Sequence, residues 1–325
     1  FVQSLSNQNK VCSIYAKAGN RSIFAIVNNA YGNGATFDLS AETAVSAGQG
    51  SLAVIESVGN DWYRCSVYFS LGTQFLVVFA DVNGNGYSNG DTISFFGAQM
   101  ESSLVATDYL NSTTTTGKAG VLIDLPRINF DANGENGALL LEPSRQQLFQ
   151  FSEYFADSYW AKTGSGSGVA PIVTQNHAIS PEGLKNASRV QFDTNGSSSG
   201  DRSGFVRDFA FTTGDKYAIS CWVKSASGSD EIFTFRIAGA QVGGEKTATN
   251  DWQLFTETHT ATATTTDNFG MQIRGNYSSQ TSDILIFGMQ LESGVSYSSS
   301  YIPNHGESGG VTRAKDSAIT LSVPD

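Results

Sequence analysis

Apolar and polar residues alternate with a period of two in short runs along the whole chain. Residues 11–17, 62–69, 217–224 and 284–287 are such runs, and clusters of Gly, Asn, Asp and Ser separate them. This period is typical of half-buried β-strands, and the clusters are typical of the turns between strands. No segment has a sustained helical period with capping residues. The pattern therefore predicts an all-β protein of the sandwich or jelly-roll class.

Four short blocks of sequence occur twice in the same order. The pairs are 13–17 with 220–224, 60–62 (NDW) with 250–252, 96–102 (FGAQMES) with 287–293 (FGMQLES), and 108–111 with 300–303. Four ordered matches are improbable by chance, so the blocks indicate an internal duplication.

The duplication predicts two tandem jelly-roll β-sandwich modules. We place the first at residues 1–116, a linker at 117–146, the second at 147–306 and a C-terminal extension at 307–325. The second copy begins with a portion that the first lacks. We expect the first module to be truncated at its N-terminus, because half a sandwich would leave an unpaired edge and an open core. The linker contains the apolar run ALLLEP at 138–143, so we expect it to pack against a module.

Composition narrows the classes of partner. Hydrophobic residues make up 40% of the chain and charged residues only 15%, so Ser, Thr, Asn and Gln must supply a polar surface of the kind found on extracellular and virion proteins. The net charge of −11 argues against nucleic acid and against an anionic membrane surface. No apolar stretch approaches the roughly 18 residues of a membrane span, so no membrane insertion is expected. Neutral polysaccharides and protein partners remain open.

The three cysteines, Cys12, Cys65 and Cys221, each lie in an alternating run. They cannot all pair with one another. Their pattern favours small buried hydrophobic residues, and the alternative is a disulfide between Cys12 and Cys65.

Several segments resemble the appendage proteins of tailed-bacteriophage virions. They are 125–128 (LPRI), 139–145 (LLLEPSR), 151–155 (FSEYF) with Trp160, 179–183 (ISPEG), 290–294 (QLESG), 300–303 (SYIP) and 311–316 (VTRAKD). In that family, tail fibres, spikes and head fibres carry tandem modules that are similar to carbohydrate-binding jelly rolls. The resemblance covers most of the chain from about residue 11 to 318. The first copy departs from the family pattern, with Asn111 where the second has Pro303.

The resemblance implies a non-catalytic protein on the virion surface, or otherwise extracellular, and a portion of a longer virion protein. It implies self-association, which we expect to be trimeric, contacts with other virion proteins and attachment to a host-surface glycan. Two alternatives remain. One is a purely structural decoration or fibre-shaft protein, and the other is the binding portion of a secreted polysaccharide hydrolase.

Residues for catalysis are few. None of the histidines, His177, His259 and His305, has metal-ligand spacing, and no G-x-S-x-G nucleophile motif occurs. A pair of distant carboxylates could still serve a glycosidase, but most acidic residues lie in turns, where stabilising the turn is their ordinary role. We expect no enzymatic activity and no cofactor, apart from one calcium candidate.

That calcium candidate is the loop D-V-N-G-N-G at residues 81–86. Asp81, Asn83 and Asn85 stand at positions 1, 3 and 5 of a calcium-loop pattern with Gly86 at position 6, and Asp91 follows. Position 12 is Thr92, which lacks the bidentate carboxylate of such loops. An ordinary Asn- and Gly-rich hairpin loop explains the same residues.

Aromatic rings beside polar side chains are the candidates for sugar binding, because rings stack on apolar sugar faces while amides and guanidinium groups bond hydroxyls. Trp62, Trp222 and Trp252 are the aromatic candidates, although positions shared between repeats also suit a core. The loop residues Arg274, Asn276 and Tyr277 form the other candidate group, and Tyr277 is expected to lie outside the core.

Overall fold

The computed structural model describes residues 2–28, 31–110, 128–129 and 137–316. These residues form strands and no helix, which confirms the all-β prediction, and they therefore include no helix that could span a membrane. The strands in chain order are β1 (Val2–Ala18), β2 (Ile23–Asn28), β3 (Gly34–Asp38), β4 (Thr43–Ala47), β5 (Gly50–Gly59), β6 (Trp62–Val78), β7 (Ile93–Glu101), β8 (Ile128–Asn129), β9 (Ala138–Leu139), β10 (Arg145–Gln147), β11 (Ala161–Ser165), β12 (Val169–Ala178), β13 (Ala187–Asp193), β14 (Arg202–Phe211), β15 (Lys216–Ser225), β16 (Glu231–Ile237), β17 (Ala240–Ala248), β18 (Gln253–Thr260), β19 (Thr265–Arg274), β20 (Thr281–Ser293) and β21 (Val311–Arg313).

The chain divides into two compact units. Unit 1 comprises Phe1–Asn111, Gln175–Ala187 and His305–Glu307, and unit 2 comprises Ser112–Thr174, Ser188–Asn304 and Ser308–Asp325. The module boundaries drawn from the sequence stay a prediction. In the predicted linker, residues 117–127 and 130–136 lie outside the described residues. Leu139 and Leu141 are 53% and 54% exposed, so the apolar run is not packed at these two residues, where the chain forms only the two-residue strand β9.

Unit 1 is built on one seven-stranded sheet. Its order is β4-β3-β2-β6-β1-β7, with β5 paired to β6. Strand β1 pairs with β6 from the Val2–Leu76 pair to the Lys17–Trp62 pair, and with β7 on its other side. Alternate residues of these strands, Cys12, Ile14 and Ala16 on β1 and Cys65 and Val67 on β6, enter one core cluster. The period of two in the sequence is therefore the period of burial.

Unit 2 is built on two five-stranded sheets with a common core. One has the order β11-β14-β19-β16-β17 and the other β12-β13-β20-β15-β18. Ile219 and Cys221 of the second sheet and Phe269 and Met271 of the first belong to one buried cluster. Inward residues from two sheets meeting in one core define a β-sandwich, as the sequence predicted.

The repeated F-G-x-Q-x-E block forms the same β-bulge in both units. It lies on β7 in unit 1 and on β20 in unit 2, and each bulge interrupts pairing with the neighbouring strand, β1 or β15. Gly97 has φ 61° and Gly288 has φ 64°, a conformation that favours glycine. A Cβ atom would come within 3.2 Å of the Tyr109 ring at Gly97, and within 3.3 Å of the Tyr301 ring at Gly288.

The Gln and Glu of the same block fasten a returning segment. Gln290 Oε1 accepts from Ile302 N at 2.6 Å, and Glu292 Oε2 accepts from Ser299 N at 2.8 Å. In unit 1, Gln99 Oε1 accepts from Leu110 N at 2.7 Å and Glu101 Oε1 accepts from Thr107 N at 3.1 Å. The matched residues therefore make matched hydrogen bonds, which explains why this block is so similar in the two copies.

The three cysteines are buried free thiols. Cys12 and Cys65 lie in the core of unit 1 and Cys221 lies in the core of unit 2. Burial raises the pKa of all three thiols, that of Cys65 to about 12. The interpretation of cysteine as a small core residue is confirmed, and the disulfide alternative is wrong.

Candidate functional site

A shallow aromatic depression lies on unit 1, on the outer side of β1, β6 and β7. Its volume is about 220 Å³, and Tyr15, Val58, Gly59, Asn60, Trp62 and Phe96 line it. Tyr15 is the register partner of Phe96, with ring centroids 6.0 Å apart. Trp62 is half-buried, whereas Phe96 is 59% exposed. The predicted Trp62 therefore lines an open surface together with other aromatic rings.

Fixed neighbours hold the rings of this depression. Tyr109 packs against Phe96 at 5.3 Å, and the Arg64 guanidinium lies 5.5 Å from the centre of the Tyr15 ring. Arg64 Nη2 also donates to Ser13 Oγ at 3.3 Å and to the Thr107 carbonyl. A ring that is already ordered loses little conformational entropy when a ligand stacks on it.

One rim of the depression is a tight turn between β5 and β6. Its two central residues, Asn60 and Asp61, have φ of 52° and 60°, as a type I′ hairpin turn requires. Lys17 Nζ donates to the Asn60 carbonyl at 2.7 Å and reaches Asp61 Oδ2 at 3.3 Å. The turn thus places an exposed amide side chain beside the aromatic floor.

The equivalent positions of unit 2 differ in exposure. Trp222 replaces Tyr15 and is half-buried, and Phe287 replaces Phe96 but is only 1% exposed. Residues 147–153 lie against β20 here, with Leu148 N donating to Leu291 O and Met289 N donating to Ser152 O. Trp252, half-buried just before β18, corresponds to Trp62.

The second predicted group, in the loop after β19, belongs to a polar cluster on the outer face of the first sheet of unit 2. Arg202 on β14 is the register partner of Arg274 on β19, and Gln272 pairs with both Gly204 and Thr234. Arg236 on β16 donates from Nη1 to Gln272 Oε1 at 3.4 Å. We call Arg202, Arg236, Gln272, Arg274 and Tyr277 the arginine cluster.

Tyr277 corrects one expectation from the sequence. It is buried, only 6% exposed, rather than outside the core. The turn that closes with Tyr277 N donating to Arg274 O at 3.1 Å brings the residue back towards the sheet. Burial raises the pKa of its hydroxyl, and the neighbouring Thr234, Arg274 and Gln272 oppose that rise. Asn276 in the same turn is exposed.

Several polar atoms of the cluster are buried without a hydrogen bond of normal geometry to any described residue. They are the Nε atoms of Arg202, Arg236 and Arg274, Nε2 of Gln272 and the hydroxyl of Tyr277. Arg236 and Gln272 are only 7% and 2% exposed. Unsatisfied buried donors are uncommon in folded proteins and each needs an explanation.

The electrostatics of the cluster are unusual for a chain of net charge −11. Burial lowers the pKa of Arg236 and of Arg274, and the positive charge of neighbouring arginines lowers both further. The carboxylate of the half-exposed Asp267 is 3.8 Å from Arg236 Nη2, and the carboxylate of Glu245, which accepts from Ser278 N at 3.2 Å, acts on Tyr277. Within the part of the chain that the structure describes, Arg202 and Arg274 have no ion-pair partner.

The predicted calcium loop uses its carboxylates within the protein. Asp81 Oδ1 accepts from the backbone N–H of Asn83 at 2.9 Å and of Asn85 at 2.8 Å, and Asp91 Oδ2 accepts from Arg21 Nη1 at 3.2 Å. No group of three or more His, Cys, Asp or Glu side chains among the described residues is placed to hold a metal ion. The calcium site stays a prediction, and hairpin chemistry accounts for the contacts seen.

No protein-family model matches the chain, and no curated protein matches it. Among solved structures, the tandem CBM22-1–CBM22-2 domain from Paenibacillus barcinonensis is 12% identical with a TM-score of 0.29, over 89% of this chain and 79% of that one. The CBM22-1 xylan-binding domain is 14% identical with a TM-score of 0.29, over 46% and 92%. The enzymatically active domain of bacteriophage CBA120 tailspike protein 4 is 13% identical with a TM-score of 0.31, over 45% of this chain and 21% of that one. Similarity at these TM-scores supports no inference about activity.

Proposed function

We propose that this chain is a non-catalytic, glycan-binding part of a phage virion appendage, and that it engages a host-surface glycan through the aromatic depression of unit 1. The observation that supports this most directly is the grouping of Trp62, Tyr15 and the exposed Phe96 beside Asn60. Preordered rings next to a polar side chain suit a sugar, which has an apolar face and a rim of hydroxyls.

The virion context comes from the sequence resemblance. A shallow depression gives weak single-site affinity, and a trimeric appendage present in several copies would convert it into useful avidity. The low content of charged residues, 15%, fits attachment through stacking and neutral hydrogen bonds.

The test is a glycan array followed by calorimetry on the best neutral hit. We expect Trp62→Ala and Phe96→Ala each to weaken binding by about tenfold, which is about 1.4 kcal/mol. Trp252→Ala is the matched control, since it removes the equivalent tryptophan of unit 2, outside the depression. Equal loss in all three variants, or no neutral glycan bound at all, would contradict this site.

A purely structural role is the second candidate, and one observation favours it. In the described sheet of unit 1, β7 is the last strand and has no partner on its outer edge, whereas β20 in unit 2 pairs there with β13. An open edge can pair with another chain. A self-associated protein whose assembly is abolished by Ala98→Pro on β7, and which binds no glycan, would support this role instead. The hydrolase alternative requires a catalytic domain elsewhere in the full-length gene.

A further inference from the structure

We propose that the arginine cluster of unit 2 is a second binding site, which takes the oxyanion of an acidic saccharide, such as the carboxylate of a uronic acid. The saccharide part of this inference rests on the proposed function, whereas the anion part rests on the cluster alone. The site is separate from the aromatic depression of unit 1 and uses other residues.

Strand register forces two positive charges together. Arg202 and Arg274 are directly opposite each other on β14 and β19. Like charges at such a cross-strand pair are destabilising when nothing lies between them. Arg236 on the next strand adds a further positive charge. An anion bound between these side chains would replace their mutual repulsion with attraction, which would explain why the fold holds them together.

The facing guanidinium groups of Arg202 and Arg274 are of the type that binds an oxyanion. Each guanidinium presents a planar set of N–H groups that matches a carboxylate or a phosphate in a two-bond arrangement. Arg202 and Arg274 are both partly exposed, so part of each guanidinium faces the solvent from which such an ion would bind. An oxyanion between the two facing guanidinium groups would supply the negative charge that no described residue supplies to Arg202 or Arg274.

Access and surroundings favour a sugar over a bulky polyanion. The exposed Asn276 and Thr163 lie at the margin of the cluster, and both side chains can bond hydroxyl groups. Thr163 is the register partner of Gly204, which in turn pairs with Gln272. The chain as a whole carries a charge of −11, so long-range attraction of a nucleic acid is opposed.

The experiment is isothermal titration of the whole chain with three probes: a uronic-acid oligosaccharide, its neutral counterpart of the same linkage, and inorganic phosphate. The variants are Arg274→Gln and Arg202→Gln, both at partly exposed positions where removal of one like charge should leave the fold intact. Arg207→Gln is the matched control, because Arg207 is on β14 too, but its guanidinium lies over the Tyr159 ring, 4.3 Å from its centre. Thermal unfolding of every variant checks folding.

We expect the acidic oligosaccharide to bind at least tenfold more tightly than the neutral one, and this preference to disappear in Arg274→Gln and Arg202→Gln but not in Arg207→Gln. If phosphate alone binds, and the same two variants abolish its binding, the cluster is an anion site and the saccharide part of the inference is wrong. Binding of neither anion, or binding that the two variants leave unchanged, would overturn the whole inference. Trp62→Ala should leave the anion preference intact, so failure of the depression and failure of this site are distinguishable.

Discussion

The strongest single test of the fold concerns Gln290, the residue that fastens the returning segment of unit 2. Its side chain is fully buried, with Oε1 accepting from Ile302 N at 2.6 Å and Nε2 donating to Ser299 O at 3.3 Å. Gln290→Ala leaves the buried Ile302 N–H and Ser299 carbonyl without these partners. A buried unsatisfied group costs about 1–3 kcal/mol, so for these two groups we expect a loss of about 2–6 kcal/mol in the stability of unit 2.

Gln99 of unit 1 provides the matched comparison. It makes the same bonds to Leu110 N and to the Thr107 carbonyl, but these groups are partly exposed and water can replace the lost partner. Gln99→Ala should therefore cost only about 0.5–1.5 kcal/mol, the net contribution of an ordinary hydrogen bond.

Hydrogen exchange read by mass spectrometry suits this comparison, because it reports each returning segment separately and needs no two-state transition of the whole chain. Peptides covering residues 299–303 and 107–110 are the reporters. If Gln99→Ala destabilised its segment as much as Gln290→Ala destabilises its own, burial of the Gln290 hydrogen bonds would not determine how much they contribute to stability. The reasoning would then fail.

Three further outcomes follow from the structure. Gly288→Ala should lower the stability of unit 2 by about 1–2 kcal/mol because Gly288 has a positive φ, and the Tyr301 ring at 3.3 Å from the new Cβ should add to this cost. Gly294 also has a positive φ but no atom within 4 Å of a Cβ, so Gly294→Ala should cost less when unfolding in urea is measured. Cys12, Cys65 and Cys221 are buried and have raised pKa values, so a thiol reagent at neutral pH should label none of them in the native protein and all three in denaturant. If only one thiol reacts after denaturation without reductant, the other two form a disulfide and the prediction is wrong. Backbone N–H groups of Ser167 and Ser198 lower the pKa of Asp201, so its stabilising effect is complete above the unfolded pKa of about 3.9 and is lost as pH falls towards the folded pKa. Asp201→Asn should thus lose stability at neutral pH and approach the wild type in acid, and a pH-independent difference in unfolding would contradict this.

Much of the fold could be predicted from alternation and repetition alone. Tyr217, Ile219, Cys221 and Val223 occupy alternate positions in the sequence and all four lie in the core. The repetition of the F-G-x-Q-x-E block could be recognised in the sequence, but its structural role could not. The bulge at Gly288 becomes apparent only when the register of β15 and β20 is known.

The candidate sites were less accessible to sequence reasoning. Arg274 was found because Asn276 and Tyr277 are its chain neighbours, whereas Arg202 and Arg236 belong to other strands and were missed. A hint was present at Arg236, which stands at an outward position between the inward Phe235 and Ile237 in T-F-R-I at 234–237. Which outward residues are neighbours depends on strand order, which local pattern does not specify.

The duplicated aromatic positions show how one motif can be exposed in one copy and covered in the other. Phe96 and Phe287 hold the same position in the bulge. Each packs on a tyrosine from its returning segment, with ring centroids 5.3 Å and 5.5 Å apart. The two copies differ in the segment that lies outside the motif. In unit 2, residues 147–153 are hydrogen-bonded to β20 and Phe287 is covered, whereas in unit 1 Phe96 is 59% exposed. The bulge is thus retained in both copies because it orders the return, and exposure is set by the surrounding strands. It follows that binding through the motif can be gained or lost in one copy without disturbing the hydrogen bonds that hold either copy together.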